Sequence, residues 1–306
     1  MIKKTTDKTP WLFFDCNYLC HRAFYSHEDT VYKGRRTGVI QGFLKEVLYS
    51  QVLFQTDQIS FYWDYGENKR KEMYPLYKWQ RKERVKSKAE KRRQTSFTKQ
   101  ITLLREKIIP RLGYKNNFYR DGFEGDDLIA YHCKKYGDVP IIVISSDSDL
   151  FQLINHNVSI YNPQKRIKMT LRKFKELYKI NPDQWVFVKA IAGCTSDNIK
   201  GLQWVGEKTA IAYFNGALSS DCKKYKSIVD FVQTDKYIFN LSLVQLPIKG
   251  TEISVLKNHK TTKERWKKIC KKYGVFFVKG ELMFLQKKFW RKYKKNENIL
   301  SHGDDN

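Results

Sequence analysis

The 306-residue sequence lacks the motifs of several protein classes. Its six cysteines form no Cys-x-x-Cys pair and its six histidines form no His-Glu-x-x-His helix, so a transition-metal site of either kind is not expected. No apolar run approaches the length of a membrane-spanning helix, and Asp15 and Asn17 interrupt the weakly apolar N-terminal stretch at once. These absences predict an intracellular, cytoplasmic protein with reduced, mostly buried thiols.

Acidic residues are also scarce, with 32 Asp and Glu against 58 Lys and Arg and a formal net charge of +26. Such a charge predicts an acidic, extended partner, either nucleic acid or an anionic membrane surface. Because no segment is long and apolar enough to span a membrane, we expect no membrane association. Because 41% of the residues are hydrophobic, the chain can build a sizeable core and is not a disordered polymer.

The acids that are present cluster at the ends of apolar runs. Asp147 and Asp149 follow the run 141–144, whose length and β-branching are typical of a buried parallel strand. Glu124, Asp126 and Asp127 open an apolar helix, where acids also have a plainer role in offsetting the helix dipole. In open α/β sheets, ligands bind at the carboxyl ends of the strands, so a site is expected there.

Two further strands end in the same way, since Asp15 closes the run 11–15 and Asp64 follows 59–63. Asp15 could equally cap the next helix. So many like charges in one place are tolerable only around cations. The alternation of strands with helices, such as the one expected from Gly38 to Gln55, predicts an α/β fold with a mostly parallel central sheet flanked by helices.

Residues 69–93 interrupt this alternation with a dense run of Lys and Arg that includes Tyr74, Tyr77 and Trp79. Most charge runs are solvated faces or tails. Cations interleaved with aromatic rings are also typical of a single-strand channel, where the cations contact phosphates and the rings stack on bases. We expect this segment to lie over the carboxyl edge of the sheet, and the next helix to span about 97–113.

Beyond about residue 170 the pattern predicts an all-helical region, with a helix expected at 183–192. Glycines precede a helix that begins at Lys208, an arrangement that presents backbone N–H groups to an anion. Residues 257–295 are rich in Lys and Arg on amphipathic patterns, which fits duplex contacts and solvated helix faces almost equally.

Taken together, these motifs resemble the 5′-nuclease superfamily, in particular phage 5′–3′ exonucleases or flap endonucleases and the 5′-nuclease domain of bacterial DNA polymerase I. The resemblance covers about residues 11–215, and it rests on the order and spacing of the motifs. They are Asp15, Thr37-Gly38 with Gly42-Phe43, Asp64 with Arg70, Tyr74-Pro75-Leu76-Tyr77-Lys78-Trp79-Gln80-Arg81, Glu124-Gly125-Asp126-Asp127, Ser146-Asp147-Ser148-Asp149, Ser196-Asp197-Asn198 and Gly206-Glu207-Lys208-Thr209-Ala210.

The resemblance implies an α/β nuclease core at 1–170, with a helical arch at 65–96, and a helical DNA-binding region at 171–306. The latter would contain a helix-two-turn-helix at 193–214, often built around a K⁺ ion. The first of two Mg²⁺ or Mn²⁺ sites would be formed by Asp15, Asp64, Glu124, Asp126 and Asp127, and the second by Asp147, Asp149 and Asp197. All-oxygen ligand sets suit these ions.

The same resemblance implies the remaining site residues. Lys78 and Arg81 would act on the scissile phosphate from the arch, and Lys189 would add a further cation at the site. The DNA-binding residues would be Arg22, Arg70, Tyr77, Gly201, Gly206, Lys208 and Thr209. The expected partners are branched or flapped DNA with a single-stranded 5′ end and RNA/DNA hybrids. The protein would be a monomer in a bacterial or phage-infected cell.

The expected function is a structure-specific 5′-nuclease that removes flaps, 5′ nucleotides and RNA primers at DNA junctions. Two departures from the family pattern stand out. Cys194 occupies a position that is usually Asp, which predicts a weakened second metal site. Trp204 replaces a glycine of the helix-two-turn-helix, at a point where the backbone is expected to approach phosphate or K⁺. The alternatives are a non-catalytic basic DNA-binding relative and a Mg²⁺-dependent small-molecule phosphohydrolase.

Overall fold

The structure, a computed structural model, describes residues 9–27, 30–80 and 87–276. Its centre is a six-stranded sheet in the order β5-β4-β1-β6-β7-β8, in which the first five strands are parallel and β8 is antiparallel to β7. The strands of the sheet are β1 (Trp11–Asp15), β4 (Ile59–Tyr62), β5 (Asn117–Phe118), β6 (Ile141–Ile144), β7 (Val158–Asn162) and β8 (Ile167–Met169). Two small antiparallel pairs are β2 (Val31–Tyr32) with β3 (Arg35–Arg36) and β9 (Gly193–Cys194) with β10 (Ile199–Lys200).

Helices cover both faces of the sheet and form the second half of the described chain. They are α1 (Cys16–Ser26), α2 (Gly38–Phe54), α3 (Lys69–Met73), α4 (Lys88–Leu103), α5 (Ile109–Leu112), α6 (Gly125–Lys135), α7 (Leu171–Tyr178), α8 (Trp185–Ala192), α9 (Glu207–Phe214), α10 (Lys223–Phe231), α11 (Asp235–Val244) and α12 (Lys263–Tyr273). Shorter helical turns lie at Leu104–Ile108, Ser148–Leu153, Pro182–Gln184 and Thr195–Asp197.

The apolar runs form strands that are buried on both faces. Side chains alternate along a strand, so Leu12 and Phe14 of β1 pack with Phe43 of α2, while Phe13 packs on the other face with Ile129 of α6. Continuous apolar runs are the pattern expected when helices cover both faces of a parallel sheet. The predicted fold class is confirmed.

The helix expected near 97–113 begins earlier, at Lys88. Ser87 and Glu90 form a capping box, in which the Glu90 N–H donates to Ser87 Oγ at 3.1 Å and the Ser87 N–H donates to Glu90 Oε2 at 2.8 Å. The Ser-x-x-Glu spacing is a recognisable start signal, but the surrounding cations concealed it in the sequence. The helix crosses the predicted end of the arch at residue 96, and Phe97 is its first buried apolar side chain.

The helical region packs directly onto the sheet. One apolar cluster contains Phe13 and Ile129 from the core together with Val188 and Leu246 from beyond the expected boundary at residue 170. The β9/β10 pair lies between α8 and α9, so a short antiparallel pair interrupts the region that was expected to be all-helical. Within the described ranges, no helix combines the length and the apolar character needed to cross a membrane. The basic stretch 257–295 is described only as far as residue 276, and there α12 buries Trp266 and Ile269.

Candidate metal centre and nucleic-acid face

Three neighbouring strands bring carboxylates to one edge of the sheet. Asp15 is the last residue of β1, Asp64 follows β4 and Asp147 follows β6. These strands are adjacent and parallel, in the order β4-β1-β6, so their carboxyl ends meet. The topology therefore collects at one place the acids that the sequence distributes over more than a hundred positions.

Asp15 lies at the centre of this edge and is 8% exposed. Its Oδ1 accepts a hydrogen bond from the Tyr18 N–H at 3.0 Å, which caps α1, and its Oδ2 accepts from Ser145 Oγ at 2.7 Å. The plainer prediction of a helix cap thus holds at the same time as the placement in the cluster. Both contacts fix the carboxylate in one orientation.

Asp64 connects β4 to the helix that carries the next acids. Its Oδ1 accepts from the Gly125 N–H at 2.7 Å and its Oδ2 accepts from Asn17 Nδ2 at 2.9 Å. Gly125 is the first residue of α6, so this hydrogen bond holds Glu124 and Asp126 against the sheet edge.

Burial and the closeness of like charges raise the pKa values of four of these acids. Burial, together with repulsion from Asp64 and Asp147, raises the pKa of Asp15 to about 7. Burial and the neighbouring acid Asp149 raise the pKa of Asp147 to about 6. The pKa of Asp64 rises through burial and Glu124, and that of Asp126 rises well above its ordinary value through burial and Asp15. Oxygen donors that repel one another in this way suit divalent cations, which would offset the repulsion.

Lys78 and Tyr77 of the predicted arch reach this cluster. Lys78 Nζ donates to Glu124 Oε1 at 2.5 Å and lies 3.7 Å from Asp197 Oδ2. The Tyr77 hydroxyl donates to Glu124 Oε2 at 3.0 Å and to Asp197 Oδ2 at 3.2 Å. Burial tends to raise the pKa of Glu124, but the charges of Lys78 and Arg70 outweigh it and lower that pKa. The base of the arch thus bridges the two expected groups of carboxylates.

Lys189 projects from α8 toward the other end of the cluster. Its Nζ lies 2.8 Å from Asp149 Oδ1 and 2.7 Å from Glu207 Oε1, and it also donates to Ser148 Oγ at 3.3 Å. Desolvation opposes the charge, but Asp149 and Glu207 outweigh it and raise the pKa of Lys189. The ammonium joins the sheet edge to the start of α9.

A second group of ligand type is formed by Asp149, Cys194 and Asp197, whose donor atoms all lie within 4.8 Å of one another. Cys194 and Asp197 come from the hairpin between β9 and β10, where Cys194 pairs with Ile199. The hairpin depends on close backbone contact, because a Cβ on Gly193 would lie 2.3 Å from the Gly201 nitrogen and one on Gly201 would lie 2.2 Å from the Ala192 carbonyl carbon. Gly201, expected to bind DNA, therefore has this packing role as well.

Asp127 and Arg70 form a buried pair beside the cluster. Arg70 is 2% exposed, and its NH1 and NH2 donate to Asp127 Oδ2 at 2.6 Å and Oδ1 at 2.8 Å. Asp127 also accepts from the backbone N–H groups of Glu124 at 3.2 Å and Ile248 at 2.9 Å. Asp127 is fully buried and its charge is offset by a bidentate, buried guanidinium, which distinguishes it from the other acids of the cluster, and the Arg70 guanidinium is not available to solvent.

The start of α9 offers a different surface. Gly206 has nothing within 4 Å of the position of a Cβ, and Lys208 beside it is exposed, with Thr209 half-buried. Trp204 precedes them with a positive φ of 64° and is 81% exposed. Its backbone therefore adopts the left-handed conformation that glycine favours, and its indole projects into solvent.

The last two predicted residues are Arg22 and Arg81. Arg22 NH1 forms an ion pair with Glu46 Oε2 at 2.7 Å, between α1 and α2. Arg81 lies outside the described residues.

Sequence reasoning missed several residues that complete the site. Asn17 and Ser145 hold Asp64 and Asp15, and Glu207 pairs with Lys189. Glu207 lies inside the motif Gly206–Ala210 and Ser145 directly precedes the motif Ser146–Asp149, so their positions carried a signal. Asn17 carried none, because its partner Asp64 is distant in the chain.

Comparisons with known proteins bear on the family of this chain. Residues 10–179 match the family model described as 5′-3′ exonuclease, N-terminal resolvase-like domain. A 5′-3′ exonuclease of Mycoplasmopsis pulmonis is 30% identical over 247 residues, covering 78% of this chain and 75% of that protein. A thermostable DNA polymerase I of Thermus thermophilus is 28% identical over 212 residues, which is 65% of this chain and 23% of the polymerase.

A solved structure shares the fold. The flap endonuclease of bacteriophage T5, crystallised with DNA and metal ions, superposes with a TM-score of 0.64 and 22% identity, covering 78% of this chain and 89% of that chain. The matched family model and the Mycoplasmopsis relative define the class of protein as that of the 5′-3′ exonucleases, as the sequence predicted. The chain belongs to the 5′-3′ exonuclease family. It spans less than a quarter of the length of its polymerase relative, 23%.

Proposed function

We propose that this chain hydrolyses phosphodiesters at the 5′ ends of branched or flapped DNA, including RNA primers paired to DNA. The observation that carries the proposal is the meeting of Asp15, Asp64 and Asp147 at the carboxyl edge of the sheet, with arch residues in contact with the same cluster. The formal net charge of +26 supports a nucleic-acid partner. The T5 enzyme crystallised with DNA and metal ions adds support through its fold.

The first group of carboxylates, with oxygen donors alone, fits Mg²⁺ or Mn²⁺, and the site as a whole would hold two divalent cations. When bound, such cations would lower the pKa of a water to make the nucleophile and would stabilise the leaving oxyanion. We assign Asp15, Asp64, Glu124 and Asp126 to the first site and Asp147, Asp149 and Asp197 to the second. The raised pKa values of Asp15 and Asp147 support this assignment, since crowded acids are typical of sites that hold cations.

We assign Asp127 a positioning role instead of the expected ligand role. Its bidentate pair with Arg70 joins α6 to the base of the arch, and Arg70 also donates through Nε to the Leu243 carbonyl at 2.7 Å. The pair thus ties together three elements that surround the site. Arg70, expected to bind DNA, belongs to the same tie.

The arch supplies the groups that face the reacting phosphate. Lys78 and Arg81 would neutralise charge that develops there, and Lys189 would do the same from α8. The contacts of Lys78 with Glu124 and Asp197 support the first of these roles, because they place an ammonium at the junction of the two groups of carboxylates. Tyr77 would orient Lys78, since its hydroxyl donates to Glu124 and Asp197, the same two residues that Lys78 contacts.

The helix-two-turn-helix expected at 193–214 would hold the duplex part of the substrate. The start of α9 suits phosphate oxygens, because backbone N–H groups lie there and nothing packs against Gly206. The exposed Lys208 and the half-buried Thr209 follow directly. A K⁺ ion would assist there by binding backbone carbonyls. Arg22 would contact DNA from α1, and the protein would act as a monomer.

Cleavage of a 5′-labelled flap duplex tests the proposal. We expect labelled product with Mg²⁺ or Mn²⁺, none with EDTA, and none from Asp15→Ala in either ion. No cleavage by the wild-type chain with either cation would overturn the proposal.

The same experiment separates the alternatives, which the comparisons do not favour. A non-catalytic relative would bind the flap without cutting it in any cation. A phosphohydrolase for small molecules would release phosphate from a nucleotide and show no preference for flapped over blunt DNA.

A further inference from the structure

The two groups of carboxylates differ in their donor atoms. The first offers oxygen alone, whereas Asp149, Cys194 and Asp197 offer two carboxylates and one sulfur within 4.8 Å of one another. Sulfur is a soft donor that Mg²⁺ accepts poorly and that Co²⁺, Zn²⁺ and Cd²⁺ accept well. A thiol at this position therefore changes which cation the group can hold.

The backbone holds the sulfur in place. Cys194 pairs with Ile199 in the β9/β10 hairpin. The backbone of Gly201 leaves no space for a side chain at Gly193, and that of Ala192 leaves none at Gly201. Asp197 lies in the short helical turn that closes the same hairpin. Both donors thus move as one unit, and Asp149 is joined to the neighbouring helix α8 through Lys189.

The environment of Cys194 differs from that of the buried cysteines. Cys16, Cys20 and Cys133 are fully or almost fully buried in the core, whereas Cys194 is half-buried and its Sγ lies 3.1 Å from Ser196 Oγ. One side of Cys194 packs on the small apolar cluster that contains Ala190 and Ile199. Packing accounts for the apolar contacts of Cys194. It does not account for the position of the sulfur beside the carboxylates of Asp149 and Asp197.

We propose that Asp149, Cys194 and Asp197 together bind one thiophilic divalent cation, of the Co²⁺, Zn²⁺ and Cd²⁺ class, in preference to Mg²⁺. This inference rests on the proposed function, because it gives the second cation of that site its chemical class. As the sulfur–metal bond forms, the thiol loses its proton to solvent. The first group, with oxygen donors alone, keeps its preference for Mg²⁺ or Mn²⁺.

The test is an anaerobic titration of the full chain with Co²⁺, whose bond to a thiolate produces a charge-transfer band in the near ultraviolet. We expect the band in the wild-type chain and its loss in Cys194→Ser and Cys194→Asp. The Co²⁺ affinity of Cys194→Ser should fall by roughly 10–100-fold, since losing even a supporting group of a metal site has effects of that size. Excess Mg²⁺ should displace Co²⁺ from this group in Cys194→Asp and not in the wild type.

Cys222→Ser is the matched control. Cys222 is also half-buried, and it accepts the Tyr225 N–H at the start of α10, a role that serine fills well. The band should be unchanged in this variant. A band that persists in both Cys194 variants, or its absence from the wild type, would overturn the proposal.

Melting temperatures keep the result interpretable. If Cys194 serves packing alone, Cys194→Asp melts lower and the wild-type chain shows no band, which contradicts the proposal. The titration needs no substrate, so it decides the thiol's role independently of cleavage. Failure of flap cleavage in every cation would instead count against the proposed function, whatever the band shows.

Discussion

The two groups of ligand-type residues are built in different ways. The first, Asp15 with Asp64, Glu124 and Asp126, is carried by strand ends and by the start of a helix that is hydrogen-bonded to the sheet. The second takes Asp149 from the sheet edge but Cys194 and Asp197 from a hairpin in the helical region. A site carried by the sheet is fixed by the register of the strands. A site shared between two regions depends on how they pack, and its donor set is set separately in each region.

The largest expected effect concerns the first group. Asp126→Asn should reduce flap cleavage by roughly 10³-fold or more, since the loss of a cation removes several kcal/mol of transition-state stabilisation. Binding of the flap should be kept, because the variant removes negative charge that faces phosphate. Single-turnover cleavage and binding without divalent cations measure the two effects.

Asp138→Asn is the control for this variant, because Asp138 is exposed in the turn before β6, at the opposite edge of the sheet. Its cleavage rate should match that of the wild type. Cleavage by Asp126→Asn within tenfold of the wild-type rate would remove Asp126 from the site.

The next effect concerns the tie between the two regions. Arg70→Met should lower the free energy of unfolding by about 3–5 kcal/mol, because it leaves Asp127 buried without its charged partner. Arg22→Met breaks an ion pair in which the arginine is partly exposed, and should cost at most about 1 kcal/mol. Urea unfolding of both variants in EDTA makes the comparison. Equal losses of unfolding free energy in the two variants would show that the Arg70 pair contributes no more stability than a partly exposed ion pair.

A smaller effect is expected where the arch bridges the two groups. Lys78→Ala should lower the single-turnover rate by about 10²-fold, the size expected for one charge at the reacting centre, and should weaken duplex affinity much less. Lys91→Ala, exposed on α4 in the same segment, controls for the loss of a cation as such. If rate and affinity fall equally in Lys78→Ala, the arch lysine is only a tether.

The smallest effect is a change of stability with pH. The folded protein raises the pKa of Asp15 from 3.8 to about 7, so the folded state binds this proton more tightly than the unfolded state. The resulting stability is present at low pH and is lost as pH rises from about 4 through about 7. In EDTA, Asp15→Asn should therefore melt higher than the wild type above about pH 7, and the difference should shrink toward about pH 4.

Thermal melts across this range, with Asp138→Asn as the control, measure the effect. A difference that does not vary with pH would mean that Asp15 ionises normally in the folded protein.

The sequence contained enough information for the sheet and for the acids at the carboxyl ends of its strands. Apolar runs followed by Asp15, Asp64 and Asp147 need no knowledge of distant contacts, because parallel strands bring their carboxyl ends to one edge. The identities of these positions and the alternation of strands and helices were therefore sufficient. The fold class was predicted from them and is confirmed.

Only the tertiary structure decided how the charged residues pair. The cation-rich run 69–93 has the same composition whether Arg70 contacts DNA or lies buried against Asp127, and it lies buried because α6 and the backbone near Leu243 surround it. In the same way, nothing local to Cys194 places it within reach of Asp149, which lies in a different part of the chain. Local pattern determines which atoms a strand end can offer, since strand geometry repeats. Which partners meet there depends on packing between segments distant in sequence, and that is a property of the folded chain alone.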